Sequence, residues 1–361
     1  MKKKKERIIT FEEQLHKEYL NDVFNMVLVI GCFICVSQAL FSVPVPLLFH
    51  NGRRGDFLIS LKIFLDFLYK GVALYAPFLI YNIIKHKTPG KFFLTEKSSA
   101  SPLYYILGIP SVVGVGVSVQ YLSTFIVSAM RANKYIINEE IPETGDSLAT
   151  NIVFIVLAFI IPAFFQEITF RGIVISDMKK DSFVFSVIIS SMLMSFSHIS
   201  IQKIIYMFIS GLILGWLYLK TSSLWLTFVC SGCLNGMLAV LWIFRVNNES
   251  VYLEMIPKIA LIAGIVGILC ALCMFFIFGF KIERTETGLK RGEAVKAFFK
   301  SFALWIFIFI TVFRFFFLYI NRPNDEEDNY GKEPAESEPA DETTASFKTA
   351  DIYIINNLSF I

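Results

Sequence analysis

Long apolar runs separated by short polar segments make up most of this chain. Each run has about 18 residues or more, the length at which a helix crosses the hydrocarbon core of a bilayer. In lipid every backbone amide must be paired within the protein, and the runs do not alternate as barrel strands do. We therefore predict an all-α, polytopic transmembrane helical bundle of about nine spans, at 24–42, 68–84, 103–130, 152–165, 183–197, 204–219, 224–244, 259–280 and 302–320.

Composition supports lipid as the solvent of this protein. Of the 361 residues, 55% are hydrophobic and 17% are charged, which is too apolar for an ordinary soluble domain. Three zones follow from the distribution of charge. We predict a charged cytoplasmic segment at 1–21, a transmembrane domain at 22–320, and an acidic, disordered C-terminal tail at 321–361.

Basic residues predict the orientation in a cell membrane. Lys and Arg cluster at 2–7, 85–97, 179–180, 220 and 281–300, and these positions fall on one side if nine spans are counted. The excess of positive charge marks the cytoplasmic side, so we expect the N-terminus inside and the C-terminal tail outside. The net charge of +3 reflects this topology and gives no reason to expect nucleic-acid binding.

Ionisable residues at membrane depth are costly, so each is a candidate site. Lys62, Asp66 and Lys70 recur every four residues of the second span, which favours a charge-compensated helix face over a transport site. Six cysteines form three pairs inside apolar runs, which favours helix packing over metal ligation. We predict neither a cofactor nor a metal.

Three later spans carry polar residues of a kind suited to chemistry. Glu167 and Arg171 are spaced to pair on one face of the fourth span. His198 ends the fifth span, where we place it deep in an apolar helix. Ser231 and Asn235 share one face of the seventh span.

The distance of each residue from the nearest cytoplasmic turn places these groups at a similar depth in the membrane. At about 1.5 Å per residue, Glu167 lies ~20 Å and His198 ~25 Å from a cytoplasmic turn near 179–181. Asn235 lies ~20 Å from the turn at 221–223. A carboxylate paired with Arg, an imidazole and an amide at one level predict a pocket for acid–base chemistry on a carbonyl.

The region 151–242 resembles the CPBP family, which comprises the CAAX proteases and bacteriocin-processing enzymes also called abortive-infection proteins. Its first motif, a Glu pair followed by three residues, an Arg and a Gly, is similar to 166–172. Its second, a Phe ahead of a His, is similar to 194–198, with Met in place of Phe. Segments 211–216 and 221–225 resemble the run leading to its third motif, a His and an Asn four residues apart; Ser231 and Asn235 occupy those positions here.

The resemblance implies an intramembrane endopeptidase acting on a membrane-embedded or lipidated peptide. In the family the first Glu and the second-motif His activate water, while the third-motif His and Asn stabilise the oxyanion. Carried over by position, His198 becomes the base partner, Asn235 an oxyanion donor, and Glu167 with Arg171 a supporting pair. Metal dependence has been proposed for the family, but no HExxH arrangement is present here.

Two departures bear on activity. Gln166 stands at the first Glu position, and a carboxamide does not take a proton from water at neutral pH. Ser231 replaces the oxyanion His. Loss of a general base costs about 10² to 10⁴ in rate, and loss of an oxyanion donor about 10² to 10³.

Three interpretations stay open on the sequence alone. The first is a slow intramembrane protease, and the second is a catalytically inactive pseudoprotease acting in bacteriocin self-immunity or as a membrane binding partner. The third is a small-solute transporter using the Lys62, Asp66 and Lys70 face. A GxxxG pair at Gly211 and Gly215 predicts a close helix contact, for which we favour a neighbour within the same chain.

Overall fold

The structure is a computed structural model that describes residues 59–65, 67, 100–132, 136–137, 147–176, 183–198, 200–279, 305, 308–309, 311–313 and 320–321. Six helices make up the main described part. They are α1 (Pro102–Ala132), α2 (Leu148–Ile175), α3 (Phe183–Phe196), α4 (Ile201–Thr221), α5 (Leu224–Asn247) and α6 (Glu249–Phe278). A further helical segment at 59–65 precedes them.

Five of these helices, α1, α2, α4, α5 and α6, are long and apolar enough to cross a membrane. They correspond to the predicted spans at 103–130, 152–165, 204–219, 224–244 and 259–280. The described part is almost entirely helical, as predicted for a membrane protein. The count of nine is not confirmed, because the spans at 24–42 and 68–84 and most of the span at 302–320 lie outside the described residues.

Helix α3 differs from the predicted fifth span. Its 14 residues give a rise of only about 21 Å, shorter than a hydrocarbon core of about 30 Å. The helix ends at Phe196, so the prediction that His198 lies within an apolar helix is wrong. The reason is local: Ser197 donates its hydroxyl hydrogen to the Met194 carbonyl at 2.6 Å, and Ser200 is extended before α4 begins. The chain therefore turns back at His198.

Small residues let α3 and α4 pack closely. A Cβ placed on Gly211 would lie 3.0 Å from the Cβ of Ser191, and one on Gly215 would lie 2.8 Å from Cγ1 of Val187. The predicted contact of this glycine pair within the chain is confirmed. Because α3 and α4 are adjacent and antiparallel, the turn holding His198 is fixed at their shared end.

A second small-residue interface joins α1 to α6. The hydroxyl of Ser118 donates to the Ala260 carbonyl across the interface. A Cβ on Gly267 would lie 2.7 Å from the backbone nitrogen of Val115. The two backbones are therefore in direct contact, as is common where lipid gives no hydrophobic drive for helix association.

Helix α2 contains two π-helical segments, at Ile155–Ile160 and Ile168–Ile175. The first precedes Pro162, which has no N–H to donate and whose ring displaces the carbonyl four residues earlier. In the second, the Phe170 carbonyl accepts a hydrogen bond from the Ser190 hydroxyl of α3 at 2.8 Å. Such π-helical insertions are frequent at functional sites. The second begins directly after Glu167.

A short antiparallel pairing joins strand β1 (Ile136–Ile137) to strand β2 (Ile320–Asn321). The first follows α1, and the second precedes the acidic tail. The pairing therefore places Ile320 and Asn321 beside the two residues of β1, which follow α1.

Candidate active site

A buried ion pair lies at the centre of the site. Nη1 of Arg171 is 3.2 Å from Oε1 of Glu167, and the two side chains are 0% and 1% exposed. The pairing predicted from their four-residue spacing is present. Arg171 also donates from Nη1 to Sδ of Met194 at 2.7 Å and from Nη2 to the Gly211 carbonyl at 3.2 Å. One guanidinium thus connects α2 to α3 and α4.

The carboxylate of Glu167 also faces α5. The hydroxyls of Thr227 and Ser231 lie beside it, one helical turn apart. Thr227 was missed by the sequence reasoning, although its position four residues before Ser231 puts it on the same helix face. Residues of four helices therefore surround the Glu167–Arg171 pair.

Asn235 lies one further turn along α5. Its Nδ2 donates to the Ser231 carbonyl at 2.9 Å and approaches the Ser231 hydroxyl at 3.5 Å. The Asn235 side chain is buried. One amide hydrogen is thus used within the helix, and a carboxamide has a second hydrogen with which to bind another group.

Gln166 makes the contact that involves the histidine. Its Nε2 lies 3.4 Å from Nε2 of His198, and the amide donates when that imidazole nitrogen is unprotonated. Gln166 is buried, whereas His198 is half-buried in the turn after α3. The residue at the first-motif Glu position is therefore in direct contact with the second-motif histidine.

These contacts link all six predicted residues through α2. Gln166 touches His198, and the next residue, Glu167, pairs with Arg171 and lies beside Ser231. Ser231 in turn accepts from Asn235. The family motifs, which are far apart in sequence, meet in this one cluster of six residues, which we call the Gln166–His198 cluster.

Two polar atoms of the cluster have no hydrogen-bond partner among the described residues and no ion-pair partner. They are Oε1 of Gln166 and Nε of Arg171. Buried polar atoms are nearly always satisfied by protein, water or ligand. The cluster can therefore take up hydrogen-bond donors such as water or a peptide N–H.

The residues present do not fit a metal ion. Within the described part of the chain, no group of three His, Cys, Asp or Glu side chains is close enough to hold one. The charge of Glu167 is compensated by Arg171 rather than free for a cation.

The other polar candidates are the charged residues of the predicted second span and the cysteine pairs. Asp66 and Lys70 fall outside the described residues, and Lys62 belongs to the helical segment at 59–65. Of the cysteine pairs, Cys230 is buried and Cys233 exposed, and both are free thiols; Cys32 and Cys35 fall outside the described part.

Comparison with known proteins identifies the region that holds the site. Residues 148–237 match the family model described as Type II CAAX prenyl endopeptidase Rce1-like. No curated protein and no solved structure matches the chain. The matched segment runs from the start of α2 into α5 and contains all six site residues. The resemblance inferred from the ordered motifs is thus confirmed over residues 148–237, which are similar to the CAAX proteases of the CPBP family.

Proposed function

We propose that this chain is a CAAX-protease-like pseudoprotease, which binds a membrane-associated peptide at the Gln166–His198 cluster but does not hydrolyse it efficiently. The supporting observation is the 3.4 Å contact between Nε2 of Gln166 and Nε2 of His198. At this position the family places a carboxylate that takes a proton from water. A carboxamide does not do this at neutral pH.

Glu167 is a poor replacement for the missing base. Its carboxylate is fully buried and ion-paired with Arg171, so protonation would leave a guanidinium without its counter-charge. Neighbouring residues on a helix also point about 100° apart. An attacking water activated by Glu167 would approach from a different direction than one activated at Gln166.

The same residues offer hydrogen-bonding groups to a peptide. Asn235 has a second amide hydrogen for a peptide carbonyl, and Oε1 of Gln166 is a buried acceptor for a peptide N–H. A peptide in an extended conformation offers both groups. We propose that a protein with such a site acts as a membrane binding partner or in bacteriocin self-immunity.

A second candidate function is slow intramembrane endopeptidase activity with Glu167 as the base. It is favoured by the hydroxyl of Ser231, which lies beside the carboxylate and is a hydrogen-bond donor for a developing oxyanion. This function requires the Arg171 pair to open. The two candidates differ in turnover, not in binding.

The test of binding uses purified protein in proteoliposomes and an S-farnesylated CAAX peptide carrying a photoreactive group. We expect cross-linking to the parent and a several-fold loss in Asn235→Ala. The matched control is Asn247→Ala, because Asn247 lies on the same helix and donates to its own i−4 carbonyl at 3.0 Å, but is exposed. Equal cross-linking in both variants would contradict peptide binding at this site.

The test of turnover measures cleavage of the same peptide. We expect no product from the parent and measurable product from the Gln166→Glu/Ser231→His double variant. Cleavage by the parent that is lost in His198→Ala would refute the pseudoprotease and support the second candidate. If the double variant also forms no product, the replacement of these two family residues does not explain the inactivity of the parent.

A further inference from the structure

Five polar side chains and one glycine recur at four-residue intervals on the facing sides of α1 and α4, well inside the bundle. We call this set the α1–α4 seam. It consists of Gly116, Gln120 and Thr124 on α1, and of Gln202, Tyr206 and Ser210 on α4.

Two close approaches between α1 and α4 fix the register of the two helices. A Cβ on Gly116 would lie 3.1 Å from Oγ of Ser210, and a Cβ on Gly108 would lie 3.4 Å from Cδ1 of Leu217. The helices are therefore antiparallel here. Continuing the register by one and two turns puts Gln120 level with Tyr206 and Thr124 level with Gln202.

The seam is buried and incompletely satisfied. Ser210 is 0% exposed, and Tyr206 and Gln202 are 4% and 3% exposed. Oγ of Ser210 and Oε1 of Gln120 have no hydrogen-bond partner among the described residues. Dry packing through interhelical hydrogen bonds would leave these atoms unsatisfied in a bilayer, which is costly.

The inner end of the seam adjoins the Glu167–Arg171 pair. Ser210 precedes Gly211, whose carbonyl accepts from Nη2 of Arg171 at 3.2 Å. Leu234 contacts the same point on Gly116 and precedes Asn235. The outer end is Gln202, the second residue of α4, about 12 Å away at the helical rise.

We propose that the α1–α4 seam is a water path from the end of the bundle where α4 begins to the level of Asn235. Water matches the seam because it is small and both donates and accepts, so that it satisfies a hydroxyl and an amide oxygen on facing helices. Membrane-embedded polar residues commonly mark such pathways. The path requires neither peptide binding nor hydrolysis, so its test is independent of the proposed function.

Radiolytic footprinting tests the path on the unmodified protein, since hydroxyl radicals formed from bound water oxidise the side chains next to it. We expect Tyr206 to be oxidised several-fold faster than Tyr218. The two tyrosines lie on the same helix, and Tyr218 is slightly the more exposed at 7% against 4%. Ordinary surface exposure therefore predicts the opposite order. Oxidation of Tyr206 no faster than Tyr218 would overturn the proposal.

A variant that narrows the α1–α4 seam tests whether the water lies in it. The methyl group of Gly116→Ala would lie 2.5 Å from Cδ1 of Leu234 and 3.1 Å from Oγ of Ser210, so it narrows the seam by displacing a flexible side-chain end. We expect oxidation of Tyr206 to fall several-fold. The control is Gly236→Ala, where a Cβ meets nothing within 4 Å. An unchanged rate in a folded Gly116→Ala protein would contradict a path through this seam, and Ser210→Val provides a second block should that variant not fold.

Discussion

Nη1 of Arg171 lies 3.2 Å from Oε1 of Glu167, with both side chains removed from solvent at the start of a π-helical segment. The same guanidinium donates to Met194 on α3 and to the Gly211 carbonyl on α4. The pair is therefore more than local charge compensation on α2. It fixes the position of α2 relative to the two helices that carry the histidine turn.

Breaking this pair should strongly destabilise the protein. In Arg171→Met the buried carboxylate of Glu167 loses its counter-charge, for which we expect a loss of about 3–5 kcal/mol in the free energy of unfolding. The measurement is denaturant unfolding in mixed micelles. Adding Glu167→Leu removes the uncompensated charge and should recover most of the loss.

An exposed pair on α6 provides the control. Nζ of Lys258 lies 3.0 Å from Oε1 of Glu254 at the same four-residue spacing, but the side chains are 65% and 75% exposed. Lys258→Met should cost no more than about 1 kcal/mol. If the two substitutions lower the free energy of unfolding by similar amounts, burial does not determine how much the Glu167–Arg171 pair contributes to stability.

The α1–α6 interface should be intolerant of a single methyl group. In Gly267→Ala the new Cβ meets the backbone of Val115 and Gly114, which has no rotamer with which to yield. We expect a loss of about 1–3 kcal/mol from overpacking. The matched Gly236→Ala, in an open part of α5, should gain about 0.5–1 kcal/mol from helix propensity. A stabilised Gly267→Ala protein would show that α1 and α6 are not in backbone contact.

The hydroxyl of Ser190 should stabilise the second π-helical segment. It donates across helices to the Phe170 carbonyl at 2.8 Å, so Ser190→Ala should cost about 1 kcal/mol and speed amide hydrogen exchange in 168–175. Ser195 is equally buried on the same helix, but it donates to its own Met192 carbonyl at 2.9 Å. Ser195→Ala should leave exchange in 168–175 unchanged. If the amides of 168–175 exchange at the same rate in both variants, the Ser190 hydroxyl does not stabilise this segment.

The sequence predicted contacts correctly where both residues of a pair lie on the same helix. Lipid forces an apolar run into a helix, and four-residue spacing then puts Glu167 with Arg171 and Ser231 with Asn235. It failed at His198, because the apolar run continues past Phe196 while the short polar residues around the histidine end the helix. A hydropathy pattern does not register such a break.

The remaining features depend on which helix faces which. Thr227 looks like an ordinary helix residue until α5 is packed on α2 with its hydroxyl beside Glu167. The α1–α4 seam likewise appears only when Gly116 and Ser210 are seen to touch. Four-residue spacing on each helix is visible in the sequence, but the pairing of the two faces is tertiary information.

Restoring the two missing family residues one at a time separates their contributions. Gln166→Glu places a carboxylate next to His198, and we expect it to raise cleavage of the farnesylated peptide by about 10² to 10⁴ over the parent background. Ser231→His alone should give no product, because an oxyanion donor is of no use before a water is activated. In the Gln166→Glu background it should add a further factor of about 10² to 10³. A gain from Ser231→His alone would mean that Glu167, which lies beside that position, already serves as a base despite its pairing with Arg171.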